Sequence, residues 1–184
     1  MTKSPEFDKY RFYRRAVQSP DVDAEFVDEE FRRLRRRSPR ILTEDFCGTF
    51  SLCCEWVKRN KNYTAIGVDL DLEPINYGIE SYFPKLNASQ QSRLHIHNKN
   101  VCAKNLPKTD IICALNFSYF IFKERKVMRE YFESAYRRLK SDGMFMLDIF
   151  GGSLCHTSNE EITSFKKFDY YWDQDGFDPI QMHS

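Results

Sequence analysis

The sequence predicts an α/β fold in which helices cover both faces of a doubly wound, mostly parallel sheet. From residue 40 onward, apolar runs of strand length alternate with segments of helical length, which is typical of βαβ units. The chain of 184 residues is long enough for one such domain. Hydrophobic residues make up 41% of it and charged residues 30%, so we expect a packed globular core.

Each element is predicted from its own hydrophobic period. The predicted strands are Ile41–Asp45, Thr64–Asp69, Leu94–Asn98, Asp110–Leu115 and Met144–Ile149, with one last strand over Phe165–Trp172. The predicted helices between the strands are Ser51–Arg59, Glu73–Phe83 and Glu124–Lys140, the last of them stopped by Asp142-Gly143. Two more helices precede the first strand, over residues 6–18 and 22–37, and Asp21 is a plausible cap of the second.

We expect three parts along the chain. They are an N-terminal helical lid over residues 1–39, a ligand-binding core over 40–156 and a strand segment over 157–184. The pattern ends without a helix to close the sheet, so we expect the C-terminal strands to be incomplete.

The charge balance disfavours a nucleic acid or an anionic membrane as partner. The chain has 28 basic and 27 acidic residues, for a formal net charge of +1. An arginine run between Arg32 and Arg40 is the one local exception, but residues 1–40 hold 11 basic and 8 acidic residues, which favours a solvated helix face. RNA binding through this run is a third hypothesis.

The N-terminus carries charged residues instead of an apolar signal core, and no apolar window of about 18 residues occurs. We therefore expect a cytoplasmic protein without a membrane span. The six cysteines form no CxxC pair and the four histidines no HxxxH pair, so we expect reduced thiols and no metal site.

The turn after the first predicted strand is where a doubly wound sheet binds its ligand. It contains neither GxGxxG nor GxxxxGK[ST], and only Gly48 offers a glycine there. Glu44 and Asp45 precede this turn, and their charges would repel a polyphosphate. The ligand is therefore predicted to carry no phosphate chain.

The second predicted strand ends in Asp69, which stands 21 residues after Gly48. An acid at this strand end can accept hydrogen bonds from both hydroxyls of a ribose. A nucleoside together with an acidic first loop indicates a cationic nucleoside, and S-adenosylmethionine fits. Its ammonium would meet Glu44 or Asp45, and its carboxylate the backbone amides near Gly48.

Four segments resemble, in order, the motifs of class I S-adenosylmethionine-dependent methyltransferases, over about residues 10–180. The segments are Glu44-Asp45-Phe46-Cys47-Gly48-Thr49, Gly67-Val68-Asp69-Leu70, Ala114-Leu115-Asn116-Phe117-Ser118 and Leu147-Asp148-Ile149-Phe150-Gly151-Gly152. The likeness is greatest to a branch whose first motif reads EDFCGT. The resemblance implies a Rossmann-like fold, S-adenosyl-L-methionine as cofactor and transfer of its methyl group.

The resemblance also implies roles for single residues. The methionine end of the cofactor would be lined by the first motif, namely Glu44, Asp45, Cys47, Gly48 and Thr49. Asp69 would bind the ribose, Leu70 would pack on the adenine, and Asn100 with Val101 would meet the adenine edge. Asn116, Phe117 and Ser118 would face the transferred methyl group, and Tyr13 with Gln18 would close a lid. No catalytic base is named; Tyr13, Tyr119 and Asp148 are the candidates.

The first motif departs from its commoner form, which has glycines where Phe46 and Phe50 stand, and this leaves less room for the methionine tail. The methyl acceptor is either a small molecule or a protein. The alternative function is a catalytically silent nucleoside-binding or protein-interaction module that retains the fold. Its exposed last strand would then pair with another chain, as in a homodimer.

Overall fold

The computed structural model describes residues 7–152 and 159–174 of the chain. Its helices are α1 (Lys9–Val17), α2 (Pro20–Arg35), α3 (Ser51–Arg59), α4 (Leu72–Ser81), α5 (Ala88–Gln91) and α6 (Arg125–Arg138). Its strands are β1 (Ile41–Asp45), β2 (Thr64–Asp69), β3 (Leu94–Asn98), β4 (Thr109–Ala114), β5 (Leu139–Leu147), β6 (Asn159–Phe165) and β7 (Phe168–Gln174). Short 3-10 turns cover Phe83–Lys85 and Ser118–Ile121.

A five-stranded sheet in the order β3-β2-β1-β4-β5 lies within the unit of residues 19–148, and every strand pair in it is parallel. The predicted fold class is confirmed. The chain runs from β1 to β2 and β3 on one side and then crosses to β4 and β5 on the other. The switch point of this sheet therefore lies between the ends of β1 and β4.

Two apolar clusters pack on the two faces of the sheet, because successive side chains of a strand point to opposite faces. On one face, Phe31 of α2 and Trp56 of α3 are buried with Leu42 of β1. On the other, Tyr131 of α6 is buried with Val68 of β2. Ile41 of β1 packs against this second cluster, so β1 contributes to both layers. The side chains that follow Leu42 in β1 therefore alternate between the two faces.

Helix α2 begins earlier than predicted. Pro20 occupies its first turn and Ser19 is the N-cap residue, so Asp21 is not the cap but an acid within the first turn. Proline is favoured at this position because the amide that it lacks has no partner inside a helix. Ala24, Val27 and Phe31 of α2 are buried in the same core as β1. Helix α2 therefore belongs to the unit of the sheet, and the unit boundary lies at residue 18/19, whereas the predicted lid ends at residue 39.

The junction of α6 and β5 also differs from the prediction. The helix ends at Arg138 and the strand begins at Leu139, although the pattern predicted helix through Lys140. Leu139 pairs with Thr109 and Met144 with Ile111, so the residues between them bulge out of the ladder. Ion pairs hold this bulge: Lys140 Nζ lies 2.9 Å from Asp110 Oδ2. Helix propensity was overridden by this tertiary contact.

The second unit contains α1 and the described residues 149–152 and 159–174. Strands β6 and β7 form an antiparallel hairpin, so the single strand predicted over Phe165–Trp172 is wrong. Lys166 and Lys167 form the turn, and the flanking rings of Phe165 and Phe168 stack with centroids 4.7 Å apart. Neither Lys166 nor Lys167 is a typical turn residue, which is why the pattern suggested one strand.

The arginine run contributes to internal ion pairs. The pairs are Arg32 with Asp28 at 2.9 Å, Arg33 with Glu30 at 2.6 Å, and Arg37 with Asp110 at 2.8 Å and Asp142 at 2.6 Å. The five cysteines within the described ranges are free thiols. In the same ranges, no helix combines the length and the apolar character needed to cross a bilayer.

Candidate functional site

The loop between β1 and α3, residues 46–50, is called the first loop. The side chain of Asp69 joins this loop to the end of β2. Asp69 Oδ2 accepts the Gly48 N–H at 2.7 Å, and Oδ1 accepts the Asp71 N–H at 2.9 Å. A carboxylate has about four acceptor positions, so about two are left for other donors. The residues predicted to bind the ribose and the methionine end are thus brought together. The Gly48 N–H, which was predicted to meet the carboxylate of the cofactor, instead donates its hydrogen bond to Asp69.

The first loop has a glycine-like backbone without the glycines. Phe46 has a φ of 58°, Gly48 of 49° and Phe50 of 48°, all in the left-handed region. This conformation costs a residue with a Cβ about 1 to 2 kcal/mol. Two phenylalanines therefore hold the chain in the conformation that the commoner motif reaches with glycine.

Both rings are anchored in the two cores. The Phe50 ring is fully buried, and the Phe46 ring lies 5.5 Å from that of Tyr131 and 5.8 Å from that of Phe122. The sequence predicts that both rings reduce the room for the methionine tail. The Phe50 ring instead lies in the core and not over the loop. Burial of the rings offsets the strain of the left-handed backbone.

Two glycines outside the first motif make this packing feasible, and sequence reasoning did not single them out as such. A Cβ on Gly78 would lie 2.4 Å from Phe50 Cε1 and 2.5 Å from the Thr49 carbonyl oxygen. A Cβ on Gly67 would lie 2.9 Å from Cys47 Sγ. Helix α4 and strand β2 thus approach the loop so closely that no side chain fits.

Glu44 lies at the end of β1 against the first turn of α3, where one oxygen accepts the Cys53 N–H at 3.3 Å. Burial raises the pKa of Glu44 to about 8, against the effect of the hydrogen bonds from Cys53, and the charges of Asp69 and Asp23 raise it further. A cation beside Glu44 would reverse this and favour the carboxylate. The contact of Glu44 with an ammonium stays a prediction.

Asp45 does not join this group. Its two oxygens accept hydrogen bonds from the Arg138 guanidinium at 2.9 Å and 2.6 Å, and Tyr131 Oη donates to it at 3.0 Å. It is buried on the α6 face of the sheet, because neighbouring residues of a strand point to opposite faces. The predicted role of Asp45 at the cofactor is corrected to a role in the core.

Cys47 and Thr49 lie on either side of Gly48 in the loop between β1 and α3. Burial, followed by the charges of Glu44 and Asp69, raises the pKa of the Cys47 thiol well above its usual value. The protonated thiol packs against Gly67, which does not suit a nucleophile, and its predicted place at the methionine end of the cofactor stays a prediction. Thr49 presents its carbonyl oxygen to Gly78.

The predicted adenine end lies where β2 and β3 finish. Asn98 Nδ2 donates to the carbonyl oxygens of Asp69 at 3.1 Å and of Leu70 at 2.8 Å, and it thereby fixes the loop that holds Leu70. The Leu70 side chain is 65% exposed and free to pack on a ring. Val101 is buried, and Asn100 Oδ1 already accepts the Cys102 N–H at 2.8 Å. The acceptor predicted for the adenine amine is therefore engaged in a local turn.

The predicted methyl-facing residues form a tight turn after β4. Asn116 and Phe117 have φ angles of 56° and 55°, and both are exposed. Asp148 accepts the Asn116 N–H at 2.6 Å and the Phe117 N–H at 2.9 Å. Ser118 Oγ donates to the Leu115 carbonyl oxygen at 2.6 Å. Asp148 thus fixes the backbone of this turn. The sequence analysis considered Asp148 only as a candidate catalytic base.

Asp23 of α2 is a further acid that the sequence analysis missed. Burial raises its pKa first, and the charges of Asp21 and Asp148 raise it further. It also raises the pKa of Glu44, so α2 brings an acid near enough to interact electrostatically with both Glu44 and Asp148. The only signal in the sequence was its place in the acidic first turn of α2.

The remaining predicted residues are placed as follows. Tyr119 is buried, and burial together with Asp148 raises its pKa. Tyr13 and Gln18 belong to the second unit, so their role in a lid stays a prediction. Among the residues that the structure describes, no three His, Cys, Asp or Glu side chains are grouped to hold a metal ion.

The fold has well-matched counterparts among solved structures. An S-adenosylmethionine-dependent methyltransferase from Clostridium acetobutylicum superposes with a TM-score of 0.69 and 19% identity, over 89% of this chain and 66% of that one. An amino pentose methyltransferase from Micromonospora echinaspora, solved with S-adenosylmethionine bound, gives a TM-score of 0.68 and 15% identity over 89% and 66%. A sugar N-methyltransferase from Streptoalloteichus gives 0.64 and 19% over 90% and 64%.

At these identities the likeness shows the fold, which is that of class I methyltransferases, and not the reaction. The chain covers 64% to 66% of the length of these three neighbours. No protein-family model and no curated protein matches the sequence.

Proposed function

We propose that this chain is a class I methyltransferase that binds S-adenosyl-L-methionine at the ends of β1, β2 and β4. The observation that carries the proposal is the hydrogen bond of 2.7 Å from the Gly48 N–H to Asp69 Oδ2. It couples the loop of the first motif to the acid at the end of β2, beside the switch point of the sheet. The remaining acceptor positions of Asp69 suit two ribose hydroxyls.

The charges around the site fit this cofactor and disfavour a phosphorylated nucleotide. The charges that raise the pKa of the carboxyls of Glu44 and Asp23 come from acids, namely Asp69 and Asp23 for Glu44, and Asp21 and Asp148 for Asp23. S-adenosylmethionine carries an ammonium and a sulfonium, which such a site attracts, whereas a polyphosphate would be repelled. Glu44 would hold the ammonium, Asp69 the ribose and Leu70 the adenine.

The bound cofactor supplies an electrophilic methyl group, and the chain supplies the arrangement around it. Asp69 and Gly48 orient the nucleoside, and the Asn116–Phe117 turn lies on the other side of the switch point. Holding the acceptor in line with the methyl carbon needs no covalent step from the protein. No residue of the site is needed as a nucleophile, which agrees with the raised pKa of the Cys47 thiol.

For the acceptor we propose a small molecule that carries an amine. Two of the solved neighbours are described as an amino pentose methyltransferase and a sugar N-methyltransferase. The carboxylate of Asp23, near Asp148, would attract a protonated amine to the same end of the sheet. The amine would lose this proton to water before its nitrogen lone pair attacks the methyl carbon and the carbon–sulfur bond breaks. A panel of amines, amino sugars and peptides with detection of S-adenosylhomocysteine distinguishes these acceptor classes.

Isothermal titration calorimetry with S-adenosylmethionine tests the proposal directly. We expect binding in the micromolar range, and Asp69→Ala lowers the affinity by about a hundredfold, because two charge-assisted hydrogen bonds to the ribose are lost. Asp71→Ala is the matched control: its carboxylate caps α4 by accepting the Glu73 N–H at 2.9 Å, two residues from Asp69. Absence of binding to the folded wild type, or equal binding by Asp69→Ala, contradicts the proposed function.

A second candidate is a module that binds other chains without transferring a methyl group. The specific observation is the cross-strand pair Ile162 and Tyr171 of the β6–β7 hairpin, which are 56% and 60% exposed. Such an apolar pair would promote the proposed homodimer through the C-terminal hairpin. Light scattering after size exclusion, with Ile162→Lys as the variant, separates a dimer from a monomer.

A further inference from the structure

The ends of β4 and β5 are joined by the side chain of Asp148. Its Oδ2 accepts the Asn116 N–H at 2.6 Å and its Oδ1 the Phe117 N–H at 2.9 Å. Each carboxylate oxygen thus holds one of two successive backbone amides. These contacts are charge-assisted, which makes them about twice as strong as neutral hydrogen bonds.

The turn that Asp148 holds is strained. Asn116 and Phe117 are both in the left-handed region, with φ angles of 56° and 55°. Asparagine tolerates this conformation, whereas a bulky residue such as phenylalanine is a genuine outlier there. Successive amides that converge in such a turn form a concave site for an anion, and Asp148 supplies that anion from the neighbouring strand.

The turn presents its two side chains outward. The Phe117 side chain is 40% exposed and its ring stacks on Phe120 with centroids 5.9 Å apart, while Asn116 is exposed. Strands β1 and β4 are neighbours, so the turn faces the first loop across the switch point. A ligand whose ribose lies at Asp69, on the β2 side, therefore meets this turn with its opposite end.

We propose that Asp148 is a positioning residue for the sulfonium end of the cofactor. It fixes the backbone of the Asn116–Phe117 turn. The side-chain amide of Asn116 and the ring of Phe117 are thereby held beside the transferred methyl group. This inference rests on the proposed function.

Two ligands that differ only at the sulfur test the inference. S-adenosylmethionine carries the methyl group and a positive charge there, and S-adenosylhomocysteine carries neither. For Asp148→Ala we expect the affinity for S-adenosylmethionine, by calorimetry, to fall about tenfold, the size of one lost charge-assisted hydrogen bond. The affinity for S-adenosylhomocysteine changes less than about twofold, which a general loss of structure would not produce.

The variant Asp148→Glu separates geometry from charge. It keeps the negative charge but moves the carboxylate by one carbon–carbon bond, so that it cannot hold both amides as before. We expect the same selective loss as in Asp148→Ala, and Asp71→Ala as matched control retains the wild-type discrimination. The inference is overturned if Asp148→Ala discriminates between the two ligands as the wild type does. It is also overturned if Asp148→Ala shows the selective loss but Asp148→Glu does not, because the charge would then act directly.

Phe117→Gly covers the case in which Asp148→Ala does not fold. Glycine adopts the left-handed conformation without strain, so this variant keeps the turn and removes only the ring. We expect an unchanged thermal midpoint and a selective loss for S-adenosylmethionine; unchanged discrimination contradicts the inference. A wild type that binds neither ligand contradicts the proposed function itself, which is a different result from binding without discrimination by Asp148.

Discussion

Asp45 and Arg138 form a buried bidentate ion pair, with both carboxylate oxygens accepting from the guanidinium at 2.9 Å and 2.6 Å. Both side chains are at most 5% exposed, and Tyr131 donates a third hydrogen bond at 3.0 Å. The preceding residue, Glu44, points to the other face of the sheet. One strand thus divides two adjacent carboxyls between a core contact and the candidate site.

Removing one partner of this pair leaves the other charge buried, which costs about 3 kcal/mol or more. We therefore expect Arg138→Met to lower the free energy of unfolding by about 3 kcal/mol, measured with urea at pH 7. Arg129→Met is the control, because Arg129 is 80% exposed in its pair with Glu133 and its loss changes little. Equal losses in the two variants would show that the buried pair is not the source of the effect.

The sequence determined the central strands well. Strands β1, β2 and β3 and helix α3 have the predicted bounds, because their apolar runs are short and are closed by polar residues. The errors fall where long-range contacts decide. Helix α6 stops at Arg138, where a salt bridge and a bulge replace local propensity. The hairpin at Lys166 was missed because Lys166 and Lys167 are not residues that mark a turn.

The candidate site was predictable where one strand end leads directly to one role. Gly48 and Asp69 are joined as the spacing indicated, and Glu44 lies near them. Asp45 was misassigned, since two successive acids at a strand end give no signal as to which of them faces the ligand. The contact of Asp148 with Asn116 joins residues 32 positions apart and depends on β4 and β5 being neighbours, which no local pattern reveals.

Gly78 is predicted to be required for the packing of the first loop. A Cβ there would lie 2.4 Å from the Phe50 ring and 2.5 Å from the Thr49 carbonyl oxygen, so Gly78→Ala forces the loop or α4 to move. Overpacking of this kind costs about 1 to 3 kcal/mol, and we expect a lower thermal midpoint together with weaker binding of S-adenosylmethionine. Gly151→Ala is the control, since nothing lies within 4 Å of a Cβ at that position.

Replacing the Phe50 ring in the same chain tests the cause. If the clash with the ring is the source of the loss, Phe50→Leu combined with Gly78→Ala is less destabilised than the sum of the single variants. Additive losses would point instead to the Thr49 carbonyl as the group in conflict.

Asp110 is predicted to stabilise the junction of β1, β4 and β5 at neutral pH. Burial alone would raise its pKa, but hydrogen bonds from Lys140, Arg37 and the amides of Ile41 and Arg40 lower it below the usual value. A carboxyl with a lowered pKa contributes stability above its unfolded value of about 4, and this contribution disappears as the pH falls through the folded value. We expect Asp110→Asn to lose about 3 kcal/mol at pH 7 in urea unfolding.

The difference between wild type and Asp110→Asn should therefore shrink as the pH falls from about 4 toward 2. Asp142→Asn is the matched control, because Asp142 pairs with the same Arg37 at 2.6 Å but is exposed. A much smaller loss is expected there. A difference for Asp110→Asn that stays constant down to pH 2 would contradict the assignment of its effect to the ionised carboxyl.

Glu44 is predicted to couple cofactor binding to the release of a proton. Its pKa is raised to about 8, first by burial and then by Asp69 and Asp23, so that it is mostly protonated at pH 7 in the free protein. The thiol of Cys53, which also faces it, has a pKa well above the usual value and does not titrate in this range. An ammonium beside Glu44 favours the carboxylate, and binding then displaces the proton.

The affinity for S-adenosylmethionine should consequently rise with pH, by up to about tenfold between pH 6 and 7, as one proton leaves per ligand bound. Calorimetry in buffers of different ionisation enthalpy measures this proton directly. In Glu44→Gln the slope and the proton release disappear, while any titration of the ligand's own amine persists in both proteins and cancels in their difference. Asp23→Asn keeps the coupling but lowers the pKa of Glu44, so the rise begins at lower pH. A wild type and a Glu44→Gln variant with parallel pH profiles would mean that the ammonium is held elsewhere.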